Sequence, residues 1–363
     1  MKKHPLFSIL ALIPFILPAQ SENEPQRPLI RLTDSVICTE VKDQSHSPTC
    51  WVYGTNSLFE SDLIKKYNVK VNLSEMFIAR YAYIDKLNKY LVTRGKTYYE
   101  GGGQFRDVLR IADKYGMVPE EAYGGLVNHS SYHDHTKLDT AMRRLGRRLL
   151  KQGKQNLNEA DLKRVNDTLD KYLGIVPSAF WYQMEQYTPK TFAKKFVRFE
   201  NDYVDVMSFA DLPLYKKSLL NDKFNWAGDS LYNVSLDDME RIIDTAIANG
   251  WSVAWEGDVT EPGFQTFKGY AYIYGSSHHY DEERLQNFKT GVTERDHMLH
   301  VVGLGHDELN NKWYYLKNSW GTWVNDFKGY LYMSEEYFKL KTVVIMVNKA
   351  ALPGYLKAML NIK

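Results

Sequence analysis

An α+β fold is predicted, a helical half followed by a sheet half, and three observations predict it. Apolar residues recur at helical spacings from residue 50 to about residue 250, they recur at alternate positions from Trp251 onward, and the change happens once. No internal repeat or low-complexity tract breaks the pattern. Helices first and strands second fit an α+β fold of two lobes with an active site in the cleft between them.

The 363 residues suffice for one large domain or two ordinary ones, and 44% hydrophobic with 25% charged residues mark a globular chain. A net charge of +2 gives no reason to expect a nucleic-acid partner. The first residues run from two lysines through an apolar stretch over residues 6–19, broken by Pro14 and Pro18, to a polar segment. That stretch is shorter than the roughly 20 residues that span a bilayer, so residues 1–19 read as a secretory signal cleaved after Ala19. An uncleaved N-terminal anchor is the alternative. Stable membrane insertion after cleavage is not expected, and the localisation expected is secreted or periplasmic. Residues 20–35 read as a polar leader.

The two cysteines, Cys38 and Cys50, are close enough in sequence to pair in an oxidising compartment. Two thiols are expected instead, with Cys38 buried in an extended stretch from Val36 to Val41. The turn Ser47-Pro48-Thr49 leads into a helix to about Tyr67, with Thr49 as its N-cap and Val52, Phe59, Leu63 and Tyr67 on one face. Ser74 caps a second helix. Gly101 to Gly103 form a turn that brings backbone close to a cleft, and a third helix runs from about Gln104 to Tyr115 and stops at Gly116.

Residues 137–173 are helical and basic, with returning acids, and read as a solvated face. The stretch "TPKTFAKKFV" is a further short helix, and an irregular aromatic segment follows. Residues 235–250 are a helix capped by Ser235 and stopped at Gly250. "WSVAWEGDV", "HMLHVVGLGHD", "KWYYLKNSW" and "GYLYMS" are then strands of an antiparallel sheet, interrupted by a polar loop near residues 275–295.

Cys50 in the first turn of a helix has the start of an activated nucleophile, because helix N–H groups and the dipole favour a thiolate. A histidine must supply the rest. His129, His133 and His135 read as a surface loop, and His278 and His279 as another. Along the strand that starts at His297, His300 and His306 lie at odd separations and face the opposite side, so one histidine of the three enters the cleft. Asn318 ends the next strand, 21 positions on, where its amide oxygen can fix one imidazole nitrogen and leave the other for the thiolate, with Trp320 as a shield. The Cys50 backbone N–H and the Gln44 side chain, six residues earlier, are the candidate oxyanion donors.

Gln44 ahead of "CWVYG", a strand histidine and then "KNSWG" resemble the papain superfamily of cysteine peptidases, and the resemblance covers most of the chain after residue 35. It implies a papain-like two-lobed fold, a helical lobe plus an antiparallel sheet lobe. It also implies Gln44 for the oxyanion hole, Cys50 as nucleophile, His297 as general base and acid, and Asn318 as the orienting residue. Among its branches the chain is most similar to bleomycin hydrolase and aminopeptidase C, because a helical insert over about residues 125–225 separates the nucleophile from the histidine. The peptidase domain then spans residues 36–363.

Ser47 stands where papain-type enzymes carry a further cysteine, and Met298 replaces a small residue. The branch uses a C-terminal arm in the cleft to restrict cleavage to N-terminal residues, whereas "NKAALPGYLKAMLNIK" reads as a helix and an abrupt end. The implied activity is hydrolysis of peptide bonds through a thioester, with peptides as substrates and with neither metal nor cofactor. An aminopeptidase is the first expectation. An endopeptidase with an open cleft, a catalytically silent peptide-binding protein and acyl transfer to an amine are the alternatives, and a homo-oligomer is compatible with the branch.

Overall fold

A computed structural model describes residues 28–197, 202–273, 275 and 277–363. The proposed signal segment lies outside the described residues. The chain begins with β1 (Arg31–Ser35), α1 (Cys50–Tyr67), α2 (Glu75–Val92), α3 (Phe105–Tyr115), α4 (Thr136–Lys151) and α5 (Glu159–Leu173). A hairpin of β2 (Phe180–Tyr182) and β3 (Glu185–Tyr187) leads to α6 (Pro189–Phe192), which continues as a π turn to Val197. Then come β4 (Tyr203–Met207), β5 (Lys216–Leu219), β6 (Ser230–Asn233), α7 (Leu236–Ala248), β7 (Val253–Gly257), β8 (Phe264–Gln265) and β9 (Tyr270–Ala271). The last elements are α8 (Tyr280–Thr290), β10 (His297–His306), β11 (Lys312–Lys317), β12 (Tyr330–Ser334), α9 (Glu335–Lys341), β13 (Thr342–Asn348) and α10 (Gly354–Met359).

One sheet runs in the order β5-β6-β4-β13-β7-β10-β11-β12-β9-β8, and β1 pairs with the far half of β10. Its central ladder from β4 to β12 is antiparallel, as expected, while the pairs β4–β6 and β12–β9 near its two edges are parallel. Side chains alternate across this ladder. Ala254, Met298 and Met346 face the core that holds α1 to α5, whereas Trp255, Leu299 and Ile345 face the core that holds α7, α9 and α10.

Helix α1 lies between the lobes, and every residue from Trp51 to Leu63 is buried. The expected apolar face holds for Val52, Phe59 and Leu63 but not for Tyr67, which is 49% exposed. Most of its buried polar residues find a partner elsewhere in the chain, and Thr55 instead donates back to Trp51 O at 2.6 Å within the helix. Asp62 Oδ2 accepts from Tyr203 Oη at 2.8 Å and from Asn348 Nδ2 at 2.9 Å, and Asn56 Nδ2 donates to Glu75 Oε1 at 3.3 Å. Glu60 accepts from the Leu73 N–H at 2.8 Å and from Thr39.

Thr49 precedes α1 without capping it: its hydroxyl bonds Ser47 Oγ at 2.6 Å. Ser74 and Ser235 do cap, accepting from the N–H groups of Phe77 and Asp238, each at 3.1 Å. Gln104 forms a capping box with Asp107, and Gly116 ends α3 at φ 91°, a conformation that favours glycine.

Several expectations are corrected. The strand of the leader is Arg31–Ser35, and Cys38 lies beyond it, partly exposed. The loop near 275–295 contains α8, which sequence alone hid because its apolar face is weak. The insert is not helical throughout: it contains the β2–β3 hairpin, Tyr203–Met207 and Lys216–Leu219 are strands, and β4 lies inside the sheet beside β13. His129 is exposed, but His133 and His135 are 7% and 2% exposed, because residues 133–135 form backbone bonds with His46. The basic faces of α4 are solvated as expected, with Arg143, Arg144, Arg147 and Arg148 exposed.

Phe59→Ala is expected to remove about 3–5 kcal/mol of stability, since it leaves a cavity under α1. Tyr67→Ala is expected to stay within about 0.5 kcal/mol of wild type. Urea unfolding followed by circular dichroism measures both.

Candidate active site

Cys50 is the first residue of α1, and the start of α1 packs against the start of β10. Gly54 lies against Met298, where an added Cβ would stand 3.4 Å from Met298 Cβ, an ordinary van der Waals contact. The Cys50 thiol meets the backbone N–H groups of Met298 and Trp51. Burial pushes the thiol up to about 12, those two N–H groups act against burial, and the carboxylates of Glu256 and Asp296 add to it. Both cysteines are free, as expected, and Cys38 Sγ lies 3.4 Å from Tyr330 Oη.

His297 is the first residue of β10 and is 4% exposed. Its Nε2 is 2.8 Å from Asn318 Oδ1, just past the end of β11, and that oxygen also accepts from the Ser319 N–H at 2.7 Å. A backbone N–H can only donate, so the Asn318 atom it meets is the oxygen and His297 Nε2 carries the proton. Nδ1 is then the basic nitrogen of the neutral ring. Trp320 covers the pair, with ring centroids 4.5 Å apart and planes inclined by 32°. Burial lowers His297 to about 4, and the Asn318 hydrogen bond works in the opposite sense.

The alternation argument separates His297 from His300 but not from His306, because the irregularity between Val301 and Gly303 shifts the register and returns Leu304 and His306 to the face of Leu299 and Val301. His300 faces α1, where its Nδ1 is 2.8 Å from Ser57 Oγ, and burial holds it neutral. His306 pairs with Arg31 at the far end of the strand, beyond an irregularity between Val301 and Gly303. Only His297 meets Asn318.

Gln44 is 6% exposed and joins this group from the other side. Its backbone N–H donates to Ser319 O at 2.8 Å, and its Oε1 accepts from Ser319 Oγ at 2.7 Å. Its Nε2 donates one hydrogen to Ser47 O at 2.9 Å. An amide nitrogen has two hydrogens, so one stays available with the orientation of the group already set. Upstream, Lys42 is tied to Glu75 Oε1 at 2.7 Å and to Leu73 O at 2.9 Å, and an isolated bridge pairs Asp43 with Trp320.

Sequence reasoning missed the residues that surround these groups. Ser319 is one, since its hydroxyl donates to Gln44 Oε1 and its backbone N–H to Asn318 Oδ1. Arg295 is another: it is buried two residues before His297 and donates to Glu256 Oε2 at 2.5 Å and to Asp222 Oδ1 at 3.2 Å. Glu256 lies in a strand buried along its whole length, and nothing local in the sequence identified its partner. The Gly101–Gly103 turn does approach this region. Trp51 Nε1 donates to Gly101 O at 3.0 Å, and a Cβ at Gly103 would stand 2.8 Å from the Trp51 ring.

A model of the Peptidase C1-like family matches residues 19–363. The chain is similar to aminopeptidase C of Lactobacillus delbrueckii subsp. lactis, 24% identical over 365 residues that cover 87% of this chain and 81% of that one. It is 25% identical to aminopeptidase E of Lactobacillus helveticus over 395 residues, 92% of this chain and 86% of the relative. Bleomycin hydrolase of Mus musculus is 20% identical over 378 residues, 88% and 82% of the two chains. The crystal structure of PepW from Lactobacillus rhamnosis HN001 superposes with a TM-score of 0.72 at 19% identity, covering 91% of this chain and 84% of that one, and shows the shared fold. A match over nearly the whole chain, on a two-lobed α+β fold with cysteine, histidine and asparagine at the lobe junction, makes this protein a member of the Peptidase C1-like family of cysteine peptidases.

Proposed function

We propose that the protein is a thiol-dependent aminopeptidase in which Cys50 is the nucleophile, His297 the general base and acid, Asn318 the orienting residue and Gln44 an oxyanion donor. The observation that carries the assignment is the His297–Asn318 bond under Trp320, joined through Ser319 to the side chain of Gln44. The names of the similar aminopeptidases support removal of N-terminal residues.

The partly buried thiol and the buried imidazole each resist charging alone, one held up and the other down by loss of solvent. Moving the proton from Sγ to Nδ1 creates both charges together, and their attraction opposes the loss of solvation. The thiolate attacks the substrate carbonyl. The second Gln44 Nε2 hydrogen and the Cys50 N–H, which has no acceptor within the first turn of α1, stabilise the oxyanion. The His297 imidazolium then gives its Nδ1 proton to the leaving amine, and the neutral ring takes a proton from water as that water attacks the thioester. Hydrolysis releases the acid and restores the thiol.

Cys50→Ala is expected to abolish turnover and keep the fold. Gln44→Ala should lower kcat by about 10²–10³, the range for loss of one oxyanion donor. Asn318→Ala should lower it by about 10², as expected for a displaced catalytic ring. Steady-state kinetics on an aminoacyl fluorogenic amide, with circular dichroism as the folding control, measure all three.

The pH dependence of alkylation tests the proton transfer. Wild type is expected to react with iodoacetamide at pH 6, because His297 takes the thiol proton. In His297→Ala burial, reinforced by Glu256 and Asp296, still outweighs the two N–H groups and keeps the thiol protonated until strongly alkaline pH, so the rate at pH 6 should fall by at least about 10² and rise with every added pH unit. Equal rates at pH 6 would refute the pairing. The apolar segment that ends at Ala19 supports export, and the N-terminus of protein recovered from a secreting host is expected at Gln20.

A further inference from the structure

An enzyme that removes only N-terminal residues needs a wall on the acyl side of its nucleophile, because a longer or blocked chain must find no room there. We infer that residues 220–229, the connection between β5 and β6, are that wall, an exclusion strap across the cleft. The inference rests on the aminopeptidase reading above.

The strap is attached to both lobes. On the helical lobe Phe224 lies over Gly102, where an added Cβ would stand 2.7 Å from its ring, and meets Tyr98 edge-on with centroids 5.1 Å apart. Trp226 Nε1 donates to Asp107 Oδ2 at 2.8 Å, and Arg110 Nη2 donates to Asp229 Oδ2 at 2.5 Å. On the sheet lobe Arg295 Nη1 donates to Asp222 Oδ1 at 3.2 Å.

These anchors stand beside the chemistry. Gly101 and Gly103, on either side of Gly102, both contact Trp51, the residue after Cys50. Arg295 is two residues before His297. The strap thus joins the neighbour of the nucleophile to the neighbour of the base. Gln44 and Ser319 are tied to each other without any bond to the strap, which leaves that flank for the leaving amine.

The end of the described chain is elsewhere. Leu356 and Leu360 of the α10 region belong to the core that holds α7, and Tyr355 Oη donates to Asp238 Oδ1 at 2.5 Å, on the sheet face opposite α1. An internal connection between two outer strands therefore covers the cleft, and residues 354–363 do not. Glycine at 102 is part of the device, since any side chain there would displace Phe224.

The test compares an aminoacyl fluorogenic amide with its N-acetyl twin on wild type, Phe224→Gly, Asp222→Ala and a chain with residues 223–227 replaced by two glycines, with Cys50→Ala as control. Wild type is expected to hydrolyse only the free form. The strap variants are expected to raise the blocked-to-free ratio of kcat/KM by at least about tenfold, with kcat on the free form within about threefold of wild type. Phe224→Gly removes a partly exposed ring and is the variant least able to harm folding, which the thermal midpoint checks. The inference is overturned if wild type hydrolyses both twins alike. It is also overturned if folded strap variants keep the wild-type ratio, or lose the free substrate without gaining the blocked one. Absence of any Cys50-dependent hydrolysis by wild type is a different result and removes the peptidase reading itself.

Discussion

The packing of the first turn of α1 against the first residues of β10 is the constraint on which the rest depends. It brings a helix N-terminus, with its unbonded N–H groups, to the start of a central strand. Gly54 and Met298 meet at the contact, and the Cys50 thiol meets the Met298 N–H. The approach has an energetic consequence for chemistry: two titratable groups are taken out of water together, and each is driven toward its neutral form. The His297 ring of that pair is held from outside, by the hydrogen bond to Asn318 and by the ring of Trp320.

Around that contact the molecule uses buried polar groups as ties between elements distant in sequence. Glu60 and Glu75 hold Lys42, and through it the segment that carries Gln44. Asp62 holds Tyr203 of β4 and Asn348 at the end of β13. Breaking one partner of such a tie leaves a desolvated group behind, so these contacts define one arrangement of the lobes more than they add net stability. The strap across the cleft follows the same logic, with Arg295 shared between Glu256 of the sheet and Asp222 of the strap.

Much of this was legible in the sequence where the signal is local. Ser74, Ser235 and Gly116 mark helix ends because caps act within a turn. The alternation along "HMLHVV" separates His297 from His300 because side chains on a strand change face at every step. Not every element buried on both faces was legible. "TVVIMVN" is apolar throughout, carries no period, and nevertheless is β13, between β4 and β7. Thr49 shows the limit even for caps, since Ser47 captured its hydroxyl.

By itself the sequence determined the order of helices and sheet, the place of Cys50 at a helix start, and the places of His297 and Asn318 at the ends of neighbouring strands, because each depends on residues within a few positions of one another. Only the tertiary structure decided which imidazole nitrogen meets Asn318, that Ser319 joins Gln44 to the same group, that His133 and His135 are buried, and that Phe224 and Asp222 bridge the cleft. These contacts join residues far apart in the chain, and no local periodicity, cap or turn encodes a partner that distant. Their energy exists only once the two lobes have closed around α1.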